Sequence, residues 1–133
     1  MRINYIKNEQ NNTVINPSEI IYDKRALRFI KDLCIHNLFT LEGYFKSVRT
    51  VLNIKQKIPI YINNQIILFY LKGLSIYDNV FINYIEINKI VKNCYNIIVI
   101  FKDNEKLSLN ISYYEYLNHV KRVQKIIKYK NNL

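Results

Sequence analysis

The chain contains no tryptophan and only two glycines, two prolines and two cysteines. So little glycine leaves no phosphate-cradling loop of the P-loop or dinucleotide-binding kind, and no Gly/Ser-rich linker divides the sequence. Cys34 and Cys94 stand far apart, with no Cys-x-x-Cys pair and no secreted disulfide framework, so reduced thiols in a cytoplasmic protein are expected. Cys34-Ile35-His36 brings two metal-binding side chains close, but His119 and Cys94 lie elsewhere along the chain, and a four-ligand zinc site is not expected. The longest apolar runs, residues 66–71 and 97–101, are too short to span a bilayer. The opening Met1-Arg2-Ile3-Asn4-Tyr5 lacks the apolar core of a signal peptide. There is no nucleophile elbow, and acidic pairs such as Asp103 and Glu105 read as turn residues. The expectation is a protein that is not an enzyme, with no cofactor, no metal and no membrane partner.

Acid is also in short supply. Ten Asp and Glu face twenty Lys and Arg, a formal net charge of +10. That excess points to a polyanion, nucleic acid first and an anionic membrane surface second. A competing account is compositional: Ile, Lys, Asn and Tyr have AT-rich codons, and a low-GC genome inflates lysine without functional pressure. What is plentiful is core material. Half of the residues are hydrophobic, with twelve Tyr and six Phe, and 133 residues suffice for a single domain over 1–133.

The pattern along the chain predicts an α+β domain: N-terminal strands and a helix, then a β-meander with a C-terminal packing helix. Thr13-Val14-Ile15 reads as a short strand stopped at Asn16-Pro17. Residues 20–22 and 27–30 suit either a hairpin around Asp23-Lys24 or a helix over 18–32, and periodicity does not choose. Leu41, Phe45, Val48 and Leu52 recur at helical spacing behind a Thr40 N-cap. Lys46, Arg49 and Asn53 share the opposite face, which is either solvated or DNA-facing. Residues 58–62 and 65–71 form two strands around Asn63-Asn64, with Pro59 at a strand start. Residues 72–79 are a loop, and 80–90, 95–101 and 107–111 are strands. Ser112 and Glu115 form a capping box ahead of an apolar stripe of Tyr113, Leu117, Val120 and Ile127, helped by Tyr116 and Val123. On that last helix Lys121, Arg122, Lys125 and Lys128 are accounted for by the dipole at its C-terminal end.

Several of these segments occur in a familiar order. Cys34-Ile35-His36-Asn37-Leu38-Phe39-Thr40-Leu41-Glu42-Gly43 carries a Cys-to-Ser/Thr-x-x-Gly spacing before a helix. Residues 51–62 give a helix end, a Lys57-Ile58-Pro59-Ile60 turn and a strand; Asn64-Gln65-Ile66-Ile67-Leu68-Phe69 follows as a second strand. Phe81-Ile82-Asn83-Tyr84-Ile85 comes next, and Asn104-Glu105-Lys106 leads to Ser112 and the last helix. In this order and spacing the chain resembles the competence transcription factor (ComK) family over roughly residues 12–128. It departs at Tyr44, where the family usually has Arg, at Tyr70-Leu71 for Pro-Thr, at Asn79 for Cys and at Phe81 for Trp.

The resemblance implies a transcription activator that binds paired A/T-rich boxes of double-stranded DNA, largely through the minor groove, as homodimers that assemble further. A/T tracts have a narrow, strongly negative minor groove that draws in Arg and Lys, and counterion release supplies much of the affinity. The expected DNA contacts are Lys46, Arg49, Lys55 and Lys57. Arg49 is expected in the groove, its guanidinium being a broad, weakly hydrated donor, and the lysines on phosphates. Two other functions remain open: a small β-rich protein-interaction module that is basic only through genome bias, and an RNA-binding protein that stacks bases on exposed tyrosines.

Overall fold

The computed structural model describes residues 2–9, 12–16, 20–22 and 25–132. In chain order these give β1 (Tyr5–Glu9), β2 (Asn12–Asn16), β3 (Ile20–Tyr22), α1 (Ala26–His36), α2 (Leu41–Leu52), β4 (Ile60–Asn63), β5 (Ile66–Tyr70) and β6 (Val80–Asn83). A 3-10 turn at Tyr84–Glu86, then β7 (Ile87–Lys92), β8 (Ile97–Phe101), β9 (Lys106–Leu109) and α3 (Tyr113–Asn131) complete the fold. The strands form two antiparallel sheets, one of six in the order β3-β2-β1-β6-β5-β4 and one of three, β7-β8-β9.

Local chemistry accounts for the helices. The Thr40 hydroxyl accepts the Gly43 N–H at 3.2 Å and starts α2, and Asn53 ends it in the left-handed conformation at φ 58°. Leu41, Phe45 and Val48 bury the inner face of α2. Ser112 caps α3 by accepting the Glu115 N–H at 3.1 Å. The ambiguous N-terminal stretch resolves into a strand followed by a helix: β3 pairs with β2, and α1 begins at Ala26. Two helices, α1 and α2, therefore precede the meander. The strand expected over 80–90 is interrupted because buried Asn83 turns its side chain into the sheet. Its amide accepts the Ile67 N–H at 3.0 Å and donates to the Ile3 and Gln65 carbonyls, closing β6.

Two cores result. In one, α1 and α2 contribute Phe29, Ile30, Leu41 and Phe45 against Ile6, Ile15, Ile60 and Leu68 of the large sheet. In the other, Ile67, Phe69 and Ile82 of that sheet meet Val99 and Phe101 of the small sheet and Tyr116 and Val123 of α3. This explains why β5 is an unbroken apolar run with every residue buried: each of its faces serves a different core. A polar joint couples the two sheets. The buried Asn4 amide donates to Asp103 at 3.1 Å and Glu105 at 2.8 Å, and Asn16 donates to Glu105 at 3.0 Å.

Candidate nucleic-acid interface

Helix α3 packs inward through Tyr116, His119, Val123 and Ile126. Steps of three, four, four and three residues put Tyr114, Leu117, Lys121, Lys125 and Lys128 on one line away from that face, and all five are exposed. The helix has 19 residues and so runs for about 28 Å, most of a turn of duplex DNA. Beside the cationic end of this line lies the segment after α2. Asn53, Ile54, Lys55 and Gln56 face Lys121, Arg122 and Lys125 across an open cleft. On the other flank β7 runs antiparallel to α3. Tyr84, just ahead of β7, accepts a hydrogen bond from Gln124 at 2.7 Å. At the far end of β7 the Lys92 ammonium sits 4.7 Å from the centre of the Tyr113 ring.

The acids lie elsewhere. No Asp or Glu occurs between Glu42 and Asp78, nor after Glu115, and these two acid-free stretches supply the two walls of the cleft. The ion pairs among the described residues are Arg2–Glu86, Arg28–Asp32, Lys31–Glu42 and Lys72–Asp78. Asp103 and Glu105 are engaged by Asn4 and Asn16. Among the described residues, none of the cleft cations is paired with a carboxylate. An exposed cluster of like charge without counter-ions repels itself, and a polyanion relieves that repulsion.

Two buried aromatic groups register the field. The His119 ring lies against Phe69 with centroids 5.4 Å apart, and its Nδ1 is 3.5 Å from the Arg122 guanidinium. Burial, with Arg122 and Lys57 adding to it, lowers the His119 pKa to about 4, so this imidazole is neutral at physiological pH. Tyr70 is pushed up to about 12 by burial, while Arg49 and Arg122 pull it down. Arg49, Lys57 and Arg122 thus act on one neighbourhood.

The four expected contacts fall out unevenly. Lys55 lines the cleft. Lys57 is half-buried beside it, with a left-handed backbone at φ 52°. Arg49 is exposed, its guanidinium 5.7 Å from the centre of the Phe45 ring on its own helix. Lys46 is exposed one turn earlier on α2 and does not line the cleft. The helix dipole accounts for Lys121, Arg122 and Lys125 at the level of sequence; in the structure they form the opposite wall. The available signal was the absence of acid from both stretches, which periodicity ignores.

A family model described as ComK protein matches residues 3–132. The chain belongs to the ComK family. That family is one of transcription regulators acting in competence, and the match takes in both walls of the cleft. No curated protein and no solved structure matches the chain. The positions that depart from the ComK pattern have structural duties. Tyr44 donates to the Pro59 carbonyl at 2.5 Å and accepts the Tyr61 N–H, tying α2 to β4. Phe81 is buried against Tyr70. Asn79 closes the 72–79 loop by accepting from Lys72 N–H and donating to the Lys72 and Gly73 carbonyls. None of these side chains lines the cleft. No described helix is long and apolar enough to cross a membrane, and the described residues hold no cluster of three or more metal-binding side chains.

Proposed function

We propose that this ComK-family chain is a DNA-binding regulator that takes A/T-rich duplex, with the minor groove as its reading surface, and does so as a homo-oligomer. The observation that carries this reading is the cleft in which Lys55 meets Lys121, Arg122 and Lys125, with no carboxylate partner among the described residues. Lysines so placed grip phosphates on both sides of a groove and carry no sequence information themselves. Arg49 is the candidate for groove insertion, and it would have to leave the Phe45 ring. An exposed cation–π contact is worth about 0.5–1 kcal/mol, less than the roughly 1–3 kcal/mol of a specificity contact, so the exchange is favourable.

The test is anisotropy on A/T-rich and G/C-rich duplexes over a salt series. The reading expects A/T preference and an affinity that falls steeply with salt, since each neutralised phosphate releases counterions. Equal affinity for both duplexes, or no binding at low salt, overturns it. One observation favours a second reading. Tyr95 and Tyr114 are strongly exposed near Lys92, as base-stacking platforms for a single strand would be. Competition by a single strand of the same sequence decides between the two.

A further inference from the structure

The β7–β8 hairpin ends in a tip that is exposed from Asn93 to Tyr95. Its connection spans residues 93–96 and is closed by Asn93 N–H donating to the Asn96 carbonyl at 3.0 Å. At the tip Cys94 is exposed and Tyr95 is 88% exposed. Among the described residues the Tyr95 ring makes no ring contact and its hydroxyl no hydrogen bond. A large aromatic left bare on a short, well-paired hairpin gains nothing for the fold. Its stem is cationic: β7 and β8 carry Lys89 and Lys92 and no acid. Within β7, Lys89 and Lys92 are exposed, and β7 is an edge strand, bonded to β8 alone. The hairpin also continues the surface already described. Lys92 on Tyr113 fixes the tip at the start of α3, where Tyr114 and Leu117 begin the outward line that ends in Lys121, Lys125 and Lys128.

We propose that this hairpin is a second DNA-contacting element, and that Tyr95 enters the minor groove beside the stretch gripped by the lysines of α3 and residue 55. The inference rests on the duplex-binding reading above. The occupant follows from charge: a tip whose stem carries two exposed lysines and no acid suits the polyanion that suits the adjacent cleft. Minor-groove proteins insert a bulky side chain between base steps, partly unstacking them, while cations engage the groove alongside. The aromatic end of the line would then supply shape readout and the cationic end grip.

Cys94 offers a native probe, since burial places the other thiol, Cys34, out of reach and raises its pKa to about 11. Duplexes carrying a disulfide-activated tether on guanine N2, which lies in the minor groove, or on cytosine N4, in the major groove, are placed at the edge of an A/T tract. The proposal expects a cross-link with the N2 tether alone, lost in Cys94→Ser. It also expects Tyr95→Ala to weaken A/T-rich binding by about fivefold or more, with the salt slope and circular dichroism unchanged. A cross-link through N4 alone overturns the groove assignment. If the wild-type chain binds duplex but neither tether reacts and Tyr95→Ala binds normally, the hairpin is not a DNA element and the parent reading stands. Absence of any wild-type duplex binding removes both. A Tyr95→Ala change confined to sedimentation assigns the tip to a contact between copies and likewise overturns the proposal.

Discussion

Lys57 holds a left-handed backbone at φ 52°, in a loop whose other left-handed residue is Asn53 at φ 58°. Asn tolerates this region, but an ordinary side chain is less stable there by roughly 1–2 kcal/mol. Glycine at position 57 relieves that strain and removes the charge. Lys57→Gly should therefore keep or raise stability, by up to about 1 kcal/mol once the looser unfolded chain is counted. It should also weaken binding to every duplex and lower the salt slope by about one unit. Urea denaturation and anisotropy on one preparation check both parts, and a clear loss of stability would show that the conformation is not strained. Lys125→Ala should behave as a phosphate contact, weakening A/T-rich and G/C-rich duplexes alike. Arg49→Ala should narrow the gap between the two. If Lys125→Ala is the one that removes A/T preference, the groove residue sits on α3.

At the level of the elements, α3 is held by its cap and by the seat of His119 on Phe69. Ser112→Ala should reduce stability by about 1 kcal/mol, seen as a lower Tm with native far-ultraviolet dichroism. His119 has a folded-state pKa near 4, below its unfolded value of about 6.5. The unfolded chain therefore takes up a proton first as the pH drops. Its contribution to stability is complete above pH 6.5 and is lost between about pH 6.5 and 4, on the order of 3 kcal/mol in all. His119→Phe keeps the ring on Phe69 and removes the titration. Its Tm should vary less with pH across that window than that of the wild type, and parallel curves would rule the linkage out. These elements differ in how readily sequence revealed them. The Thr40 and Ser112 caps and the Leu41, Phe45, Val48 spacing are local signals, and α2 and α3 follow from them. Strand β1 is different. Its pairing with β2 joins neighbours in sequence, Glu9 to Asn12, but its pairing with β6 is matched through Tyr5↔Ile82, and no short-range pattern specifies a partner so distant.

For the whole molecule, a net charge of +10 opposes both compaction and self-association. The oligomer proposed here should therefore form more readily as salt rises, whereas DNA binding weakens. Sedimentation at micromolar concentration without DNA, over a salt series, should show a dimer or larger species. A strict monomer that binds DNA as a single copy contradicts the proposal. Lys55 was legible in the sequence as a basic residue in a familiar turn, but its neighbours across the cleft were not. Residues 55 and 121–125 meet only because both cores bring α2 and α3 to the same side: the lack of acid marks both stretches, but neither it nor helical periodicity encodes their meeting.

Strand β1 sits in the interior of the six-stranded sheet, between β2 and β6, and this placement sets an order of events during synthesis. Tyr5 leaves the ribosome well before Ile82 and waits for it before the second edge of β1 is covered. Until then the nascent β1–β2 pair presents an open hydrogen-bonding edge and the apolar side chains of Ile6 and Ile15, a surface that invites the wrong partner. Closing so long a loop is an entropic barrier that local helices cannot lower, so the completed sheet is a late product of folding. A nascent chain arrested before β6 should be insoluble or chaperone-held, and adding β6 should release it.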